Sequence, residues 1–510
     1  MIGNLWLRFE QTVRSCPDRL ALVHDPVRWT FSDLHGRALA TAGLLGKMGV
    51  ERGARVLIWM ENRPEMAAAI LASWAVGGIP VLVHATAPIS HLKHAAATTA
   101  AALCILDDGQ PDVSGTLEVP LLRVDASGIA AAADERPAAA GVLATEPASV
   151  VFTSGSTGLP KGVVQSHRNL MLGCDTVYGY LGYGQADTIV CPIPWTFDYG
   201  YGQLLTTLCR GLTQFLPVAR NPFGLCAAIE AHGPTVLPGI PSWFTNLFRG
   251  VSPLSKTDLT SLRIVTNTGG TIPRGVFEDM LNAFADTRIF LNYGLTESYR
   301  SSYLPPELAR ERPDSIGKPI PGVDIVVMRE DGGLAGPREL GELVHRGNCV
   351  FLGYWGNPEA TAKSLRPDPL WPTGAVDAVK ALYTGDLGYK DEQGFIYYKG
   401  RRDHLIKSMG VRVSPGEVEA LLHDSGLVRN VAVFGLASEM IGEFVAAAIE
   451  PLNGAEPPIG ALKTFARGCM SPQMQPREYF LFDELPRTPS GKTDYTALRR
   501  ICDERKTIRH

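Results

Sequence analysis

No CxxC pair occurs among the nine cysteines of this 510-residue sequence (Cys16, Cys104, Cys174, Cys191, Cys209, Cys226, Cys349, Cys469 and Cys502). That absence argues against a zinc ribbon or a thioredoxin-type redox site. An odd, dispersed set suits reduced thiols in a cytoplasmic protein. There is no basic excess either: the net charge is −4, which removes the electrostatic case for a nucleic-acid partner. No Lys/Arg run marks an anionic membrane surface. The N-terminal stretch MIGNLWLRFEQTVRSCP has no apolar core or cleavage site, so no signal peptide is expected. One uncharged stretch, Met66 to Val83, approaches the length of a membrane span, but Gly77-Gly78 and Pro80 break it. The expected form is a buried helix, a glycine turn and a buried strand.

What is present is ordinary globular material, 45% apolar and 20% charged, in a chain too long for one hydrophobic core. Short β-branched runs at Arg55–Trp59, Pro80–Val83 and Leu103–Leu106 alternate with helical patterns such as Ala67–Ala75. Such alternation predicts an α/β fold with parallel or mixed sheets and flanking helices. The Ala-rich segment Asp125 to Pro147 reads as a surface connection. A boundary is expected near Gly400, giving a large domain over residues 1–400 and a small, mobile α+β domain over 401–510. Before the boundary, Asp391 to Tyr398 reads as a turn and strand of a hairpin. After it, Ser414, Pro415 and Glu417 have the spacing of an N-cap, a first-turn proline and a capping box.

The strand signal Val150-Val-Phe152 runs into Thr153-Ser154-Gly155-Ser156-Thr157-Gly158-Leu-Pro-Lys161-Gly162, followed by a helical pattern. Glycine and hydroxyl residues let backbone N–H and O–H donors approach phosphate oxygens, and Lys161 adds a mobile positive charge. The spacing is not that of a Walker A loop. Taken alone, such a loop is more often a plain turn.

The full run TSGSTGLPKGV resembles the phosphate-loop signature of the AMP-forming adenylating enzymes: acyl-CoA synthetases, peptide-synthetase adenylation domains and firefly-type luciferases. Four later segments resemble that family's motifs in the family's order. They are Asn292-Tyr293-Gly294-Leu-Thr296-Glu297, Tyr383 to Gly388, Gly400 to Lys407 continuing to Gly410, and Pro486 to Lys492. The resemblance implies two half-reactions. A carboxylate attacks the α-phosphorus of ATP and pyrophosphate leaves; a thiol, of CoA or of a carrier protein's phosphopantetheine, then displaces AMP. The first half brings anions together, so positive charge and positioning must supply catalysis.

By that resemblance Lys492 offsets the repulsion, with Lys161 and Thr296 on the phosphates and Glu297 holding Mg²⁺. Tyr293 stacks on adenine, Gly269 and Gly270 let the backbone pass close to the nucleotide, Asp386 accepts the ribose hydroxyls, and Arg401 contacts ribose or phosphate. Asp403 is the hinge about which the small domain swings, while Gly410 and Lys407 serve the thiol half. His167 either approaches the nucleotide or is a structural histidine at a helix start. Each role has a plain structural alternative: a helix N-terminal acid for Glu297, a buried aromatic for Tyr293, a strand-ending turn for Gly269-Gly270.

The acid pocket is expected to draw on Trp195, Asp198, Tyr199, Gly202, Val265, Asn267, Asn292, Arg300 and Ser301. This set is more polar than a fatty-acyl tunnel requires. Asp198 matches the carboxylate that pairs with the substrate amino group in amino-acid-activating members; it is also read as a helix-capping acid or the partner of an internal cation. Arg300 either meets a substrate carboxylate or pairs with Asp198. The favoured substrate is a small polar acid, an amino acid first, and the alternative is an aliphatic or aryl acid destined for CoA. A luciferase-type oxygenase or a binding protein with a dead site are the remaining readings.

Overall fold

The computed structural model describes residues 3–124, 141–153, 160–372, 374, 377–408, 411–438, 442–452, 459–488 and 491–507. The expected surface segment therefore falls mostly outside the described residues, as do Ser154 to Gly158 and Gly410.

The described residues build four sheets: one of nine strands, one of seven and two of five. Arg55–Met60, Ile79–His84 and Leu103–Asp107 pair in parallel at the heart of the seven-stranded sheet. In the nine-stranded sheet Val236–Gly239, Ile264–Asn267 and Arg288–Tyr293 run parallel. These strands read as continuous apolar runs because both of their faces are covered. Between the two large sheets lies the helix Pro64–Ala75, buried at every position, beside Asp198–Arg210, buried from Tyr199 to Cys209. A helix apolar all round belongs in a core. The uncharged stretch is thus a core helix and a core strand, and no helix among the described residues is long and apolar enough to cross a membrane. All nine cysteines are free.

The third sheet is antiparallel and carries the anticipated hairpin, Lys380–Lys390 with Ile396–Arg401. A single 3₁₀ turn, Arg402–His404, leads into the fourth sheet, which starts at Ile406–Ser408. Pro415–Asp424 begins where Ser414 and Pro415 predict, but without a capping bond. The Ser414 hydroxyl instead donates to the Lys399 carbonyl at 2.6 Å, tying this helix start to the strand before the turn.

Two buried imidazoles make stability depend on pH. His345 donates through Nε2 to the Asn348 carbonyl and faces the Ser301 hydroxyl; the Leu5 N–H donates to His167. Burial holds both rings down at about 4. Their folded values lie below the unfolded one, so the stability they carry is present above about pH 6.5 and is lost as pH falls towards 4. The melting temperature should drop across that window, and His345→Gln should make the drop shallower by on the order of 1 kcal/mol.

Candidate active site

A cavity of about 470 Å³ opens beyond the carboxyl ends of Ile264–Asn267 and Arg288–Tyr293, where open α/β sheets place their ligands. The loops leaving those strands supply Gly269, Gly270 and Gly294 to Glu297, and Lys161 enters from the neighbouring sheet. Asp386 and Arg401 come from the third sheet, directly opposite one another in register. Lys492 arrives from the loop before the last helix. Segments spread over more than three hundred residues of chain thus share one wall.

On the third-sheet side, the Tyr293 hydroxyl donates to Asp386 Oδ2 at 2.6 Å and Arg401 Nε lies 3.4 Å from Oδ1. Burial raises the Asp386 carboxyl above the usual carboxylate range, against the pull of Arg401. Each carboxylate oxygen has a second lone pair with which to accept a hydroxyl. Arg401 also faces Asp403 at 3.6 Å and donates to the Thr384 carbonyl.

Glu297 accepts a hydrogen bond from Tyr354 at 2.7 Å, and the Lys161 ammonium sits 5.3 Å from the centre of the same ring. One tyrosine therefore spaces the candidate metal ligand from the candidate phosphate lysine. The Thr296 carbonyl accepts from Gln165, pinning the end of this loop to the strand Lys161–Ser166. Lys492 lies 5.0 Å from the Phe197 ring. Gly269 has φ +83° and passes so close that a Cβ would stand 3.4 Å from Lys492 Cε, which gives the glycine pair a geometric reason. Thr196 Oγ1 and Asn267 Oδ1, both in the cavity wall, are buried with no partner among the described residues. Such atoms are rare unless a ligand or water completes them.

The acid-pocket candidates divide. Asn267 and Asn292 line the cavity; the Asn292 side-chain oxygen Oδ1 accepts from the Tyr180 hydroxyl at 2.6 Å. Trp195, Tyr199, Gly202, Val265, Arg300 and Ser301 are buried behind the wall. Trp195 donates to Gln214 in the core, and Ser301 meets Ser298 and His345. Tyr299 fills the space beside Gly202: its ring would be 2.5 Å from a Cβ on Gly173 and its hydroxyl 3.1 Å from one on Gly202. It does so with φ +59°, an uncommon conformation for a bulky residue.

Asp198 is the first helical residue of Asp198–Arg210, whose N-cap is Phe197, so it does not cap that helix. Burial raises its carboxyl, with Lys492 and then Arg300 opposing. No ion pair within 4.0 Å joins Asp198 to Arg300 among the described residues. Arg300 instead lies 4.9 Å from the Tyr199 ring centre and donates to Thr268 Oγ1 at 3.4 Å. The internal pair anticipated from sequence is not made.

Lys407 is exposed on the strand Ile406–Ser408, away from the cavity. Asp403 lines the cavity at the turn between the third and fourth sheets. His167 is buried against Trp74 and the first helix, which makes it a structural histidine. Sequence reasoning missed Tyr354 and Phe197 as wall residues. Tyr354 reaches Glu297 only because Gly353–Tyr354 pairs with Val163 and Val164, and no local pattern announces that pairing. Phe197 directly precedes Asp198 in sequence.

Comparison with known proteins agrees with this geometry. The family model described as AMP-binding enzyme matches residues 9–355, and that of the AMP-binding enzyme C-terminal domain matches 417–492. The 2-succinylbenzoate–CoA ligase of Geobacillus kaustophilus (strain HTA426) is 29% identical, covering 97% of each chain. The long-chain-fatty-acid–CoA ligase of Bacillus subtilis (strain 168) is 30% identical, over 70% of this chain and 62% of its own. The structure of o-succinylbenzoate CoA synthetase from Bacillus subtilis with its acyl-adenylate intermediate superposes with a TM-score of 0.83 at 25% identity, covering 98% of this chain and 97% of the other.

Proposed function

This chain belongs to the AMP-binding enzyme family, and from that premise we propose that it uses ATP to convert a small polar carboxylic acid to its acyl-adenylate and then passes the acyl group to the thiol of CoA. The observation that carries the first half is the convergence of Lys492, Lys161, Glu297, Asp386 and Arg401 on one cavity with Gly269 and Gly270. Lys492 neutralises charge between the carboxylate and the α-phosphate, where repulsion is greatest. Asp386 and Arg401 orient the ribose. Glu297 is the carboxylate offered to a phosphate-bound Mg²⁺, a hard cation that takes oxygen ligands. CoA as acceptor rests on the similarity to CoA ligases over the whole chain.

Small size is supported by Tyr299, whose ring fills the space between Gly173 and Gly202 behind the cavity wall. An amino acid is favoured over an apolar acid by Asp198, which follows the cavity-lining Phe197 and is not itself in the wall: its half-buried carboxylate makes no ion pair within 4.0 Å among the described residues and offers a counter-charge to a substrate ammonium. The test is a pyrophosphate-release panel of amino acids, benzoates and fatty acids, read with and without CoA. Turnover should be highest with amino acids and fall by at least about tenfold in Asp198→Ala. Preference for medium-chain fatty acids would sink the substrate assignment. Tyr299→Ala should shift the size limit upward, raising kcat/KM for a longer acid relative to a shorter one by about tenfold, at a stability cost of about 3 kcal/mol.

A further inference from the structure

Glu450 lies in the small domain, on the strand Gly442–Pro451, with its carboxylate only 1% exposed. It holds four donors. Oε1 accepts the Leu485 N–H at 2.6 Å and faces Arg487 Nη2 at 3.6 Å. Oε2 accepts from Arg429 Nε at 3.1 Å and from the Asn430 side chain. Leu485 and Arg487 open the loop that ends in Lys492. Arg487 uses its other terminal nitrogen to donate to the Gly491 carbonyl at 3.3 Å, the peptide unit that joins Gly491 to Lys492.

Around that contact the loop closes on itself. Thr488 N–H donates to the Lys492 carbonyl at 2.7 Å, Gly491 N–H to the Thr488 carbonyl at 2.8 Å, and Asp494 N–H to the Pro486 carbonyl at 2.8 Å. Gly491 takes φ +82°. A lysine at the tip of a surface loop would otherwise sample many positions, each costing the adenylation step. The buried carboxylate and the guanidinium fork anchor one end of the loop in the sheet and the other beside the lysine.

We propose that Glu450, acting through Arg487, is a positioning residue for the adenylation half-reaction: the pair sets where the Lys492 ammonium stands in the cavity. The inference rests on the adenylation role of Lys492 given above. The pair lies wholly within the small domain, so it fixes the loop there and has no bearing on a step that does not use Lys492. Glu450→Gln replaces one acceptor oxygen by a donor amide, which then faces another donor; Arg487→Lys keeps the charge but loses the fork that spans Glu450 and Gly491.

Hydrogen–deuterium exchange on the full chain needs no acid. In both variants the amides of Thr488, Gly491 and Asp494 should exchange faster by about tenfold, while those of the large-sheet strand Ile264–Asn267, which touches neither residue, stay as in the wild type. The second readout uses the acid with the highest wild-type turnover in the panel. Pyrophosphate release should fall about tenfold to a hundredfold in kcat, since small misplacements of a charge are costly. KM for ATP, and thioester formation from supplied acyl-adenylate and CoA, should stay within about twofold. Equal losses in both half-reactions, or unchanged exchange in the loop, would overturn the proposal. A wild type that turns over no acid in the panel counts against the functional reading and leaves the exchange result to decide the positioning role.

Discussion

Lys492→Ala should lower acid-dependent pyrophosphate release by about 10²- to 10³-fold, the usual loss when one preorganised charge is removed from a developing anion. In the cavity the ammonium stands near Phe197, alongside the Gly269 backbone, where a reacting carboxylate and an α-phosphate would meet. The bonds that shape its loop use the Lys492 carbonyl, not the side chain, so truncation leaves the loop intact and the melting temperature close to that of the wild type. The lost interaction is made mainly in the transition state, so the change belongs in kcat with little effect on KM for ATP. Thioester formation from supplied acyl-adenylate should survive. Intact acid-dependent pyrophosphate exchange in this variant would show that the catalytic assignment is wrong.

The second large effect is expected at Asp386. Replacement by Asn keeps the shape but substitutes a donor amide for one acceptor oxygen, next to the Tyr293 hydroxyl and Arg401, which are already donors. A hydrogen bond to a charged acceptor contributes about 1.5–3 kcal/mol, so ATP binding should weaken by about tenfold to a hundredfold, measured by calorimetry on the free enzyme. The pH dependence gives an independent check. Burial raises this carboxyl, so its charged form is lost at a higher pH than for an ordinary aspartate. ATP affinity should therefore decline on acidification from above the usual carboxylate range, and Asp386→Asn should flatten that limb. Unchanged affinity in the variant would remove Asp386 from nucleotide binding.

That the candidate nucleotide-site residues share one cavity was legible in the sequence because their requirements are local. A glycine pair, and a carboxylate, Asp386, followed fifteen positions on by Arg401, keep their chemistry wherever the chain carries them. The core helix and strand at Pro64–Ala75 and Ile79–His84 were legible for the same reason: an uncharged run with glycines in its middle has few other ways to be buried. The acid pocket was less legible. Whether Arg300 pairs with Asp198 or turns to Tyr199 and Thr268 depends on how two helices and a loop with positive φ pack together. At Ser414 the local capping pattern lost to a contact with Lys399, fifteen residues earlier.

By itself the sequence determined that this chain handles ATP and an acid, since the charges and glycines needed to bring two anions together must be encoded as residue types at set spacings. Only the tertiary structure decided what packs between Gly173 and Gly202 and which residues meet the Lys492 loop. Tyr299 closes against two glycines on separate helices, and Glu450 reaches the lysine loop from a neighbouring strand. Both are contacts between residues far apart in the chain, set by packing and desolvation, and no local pattern records them.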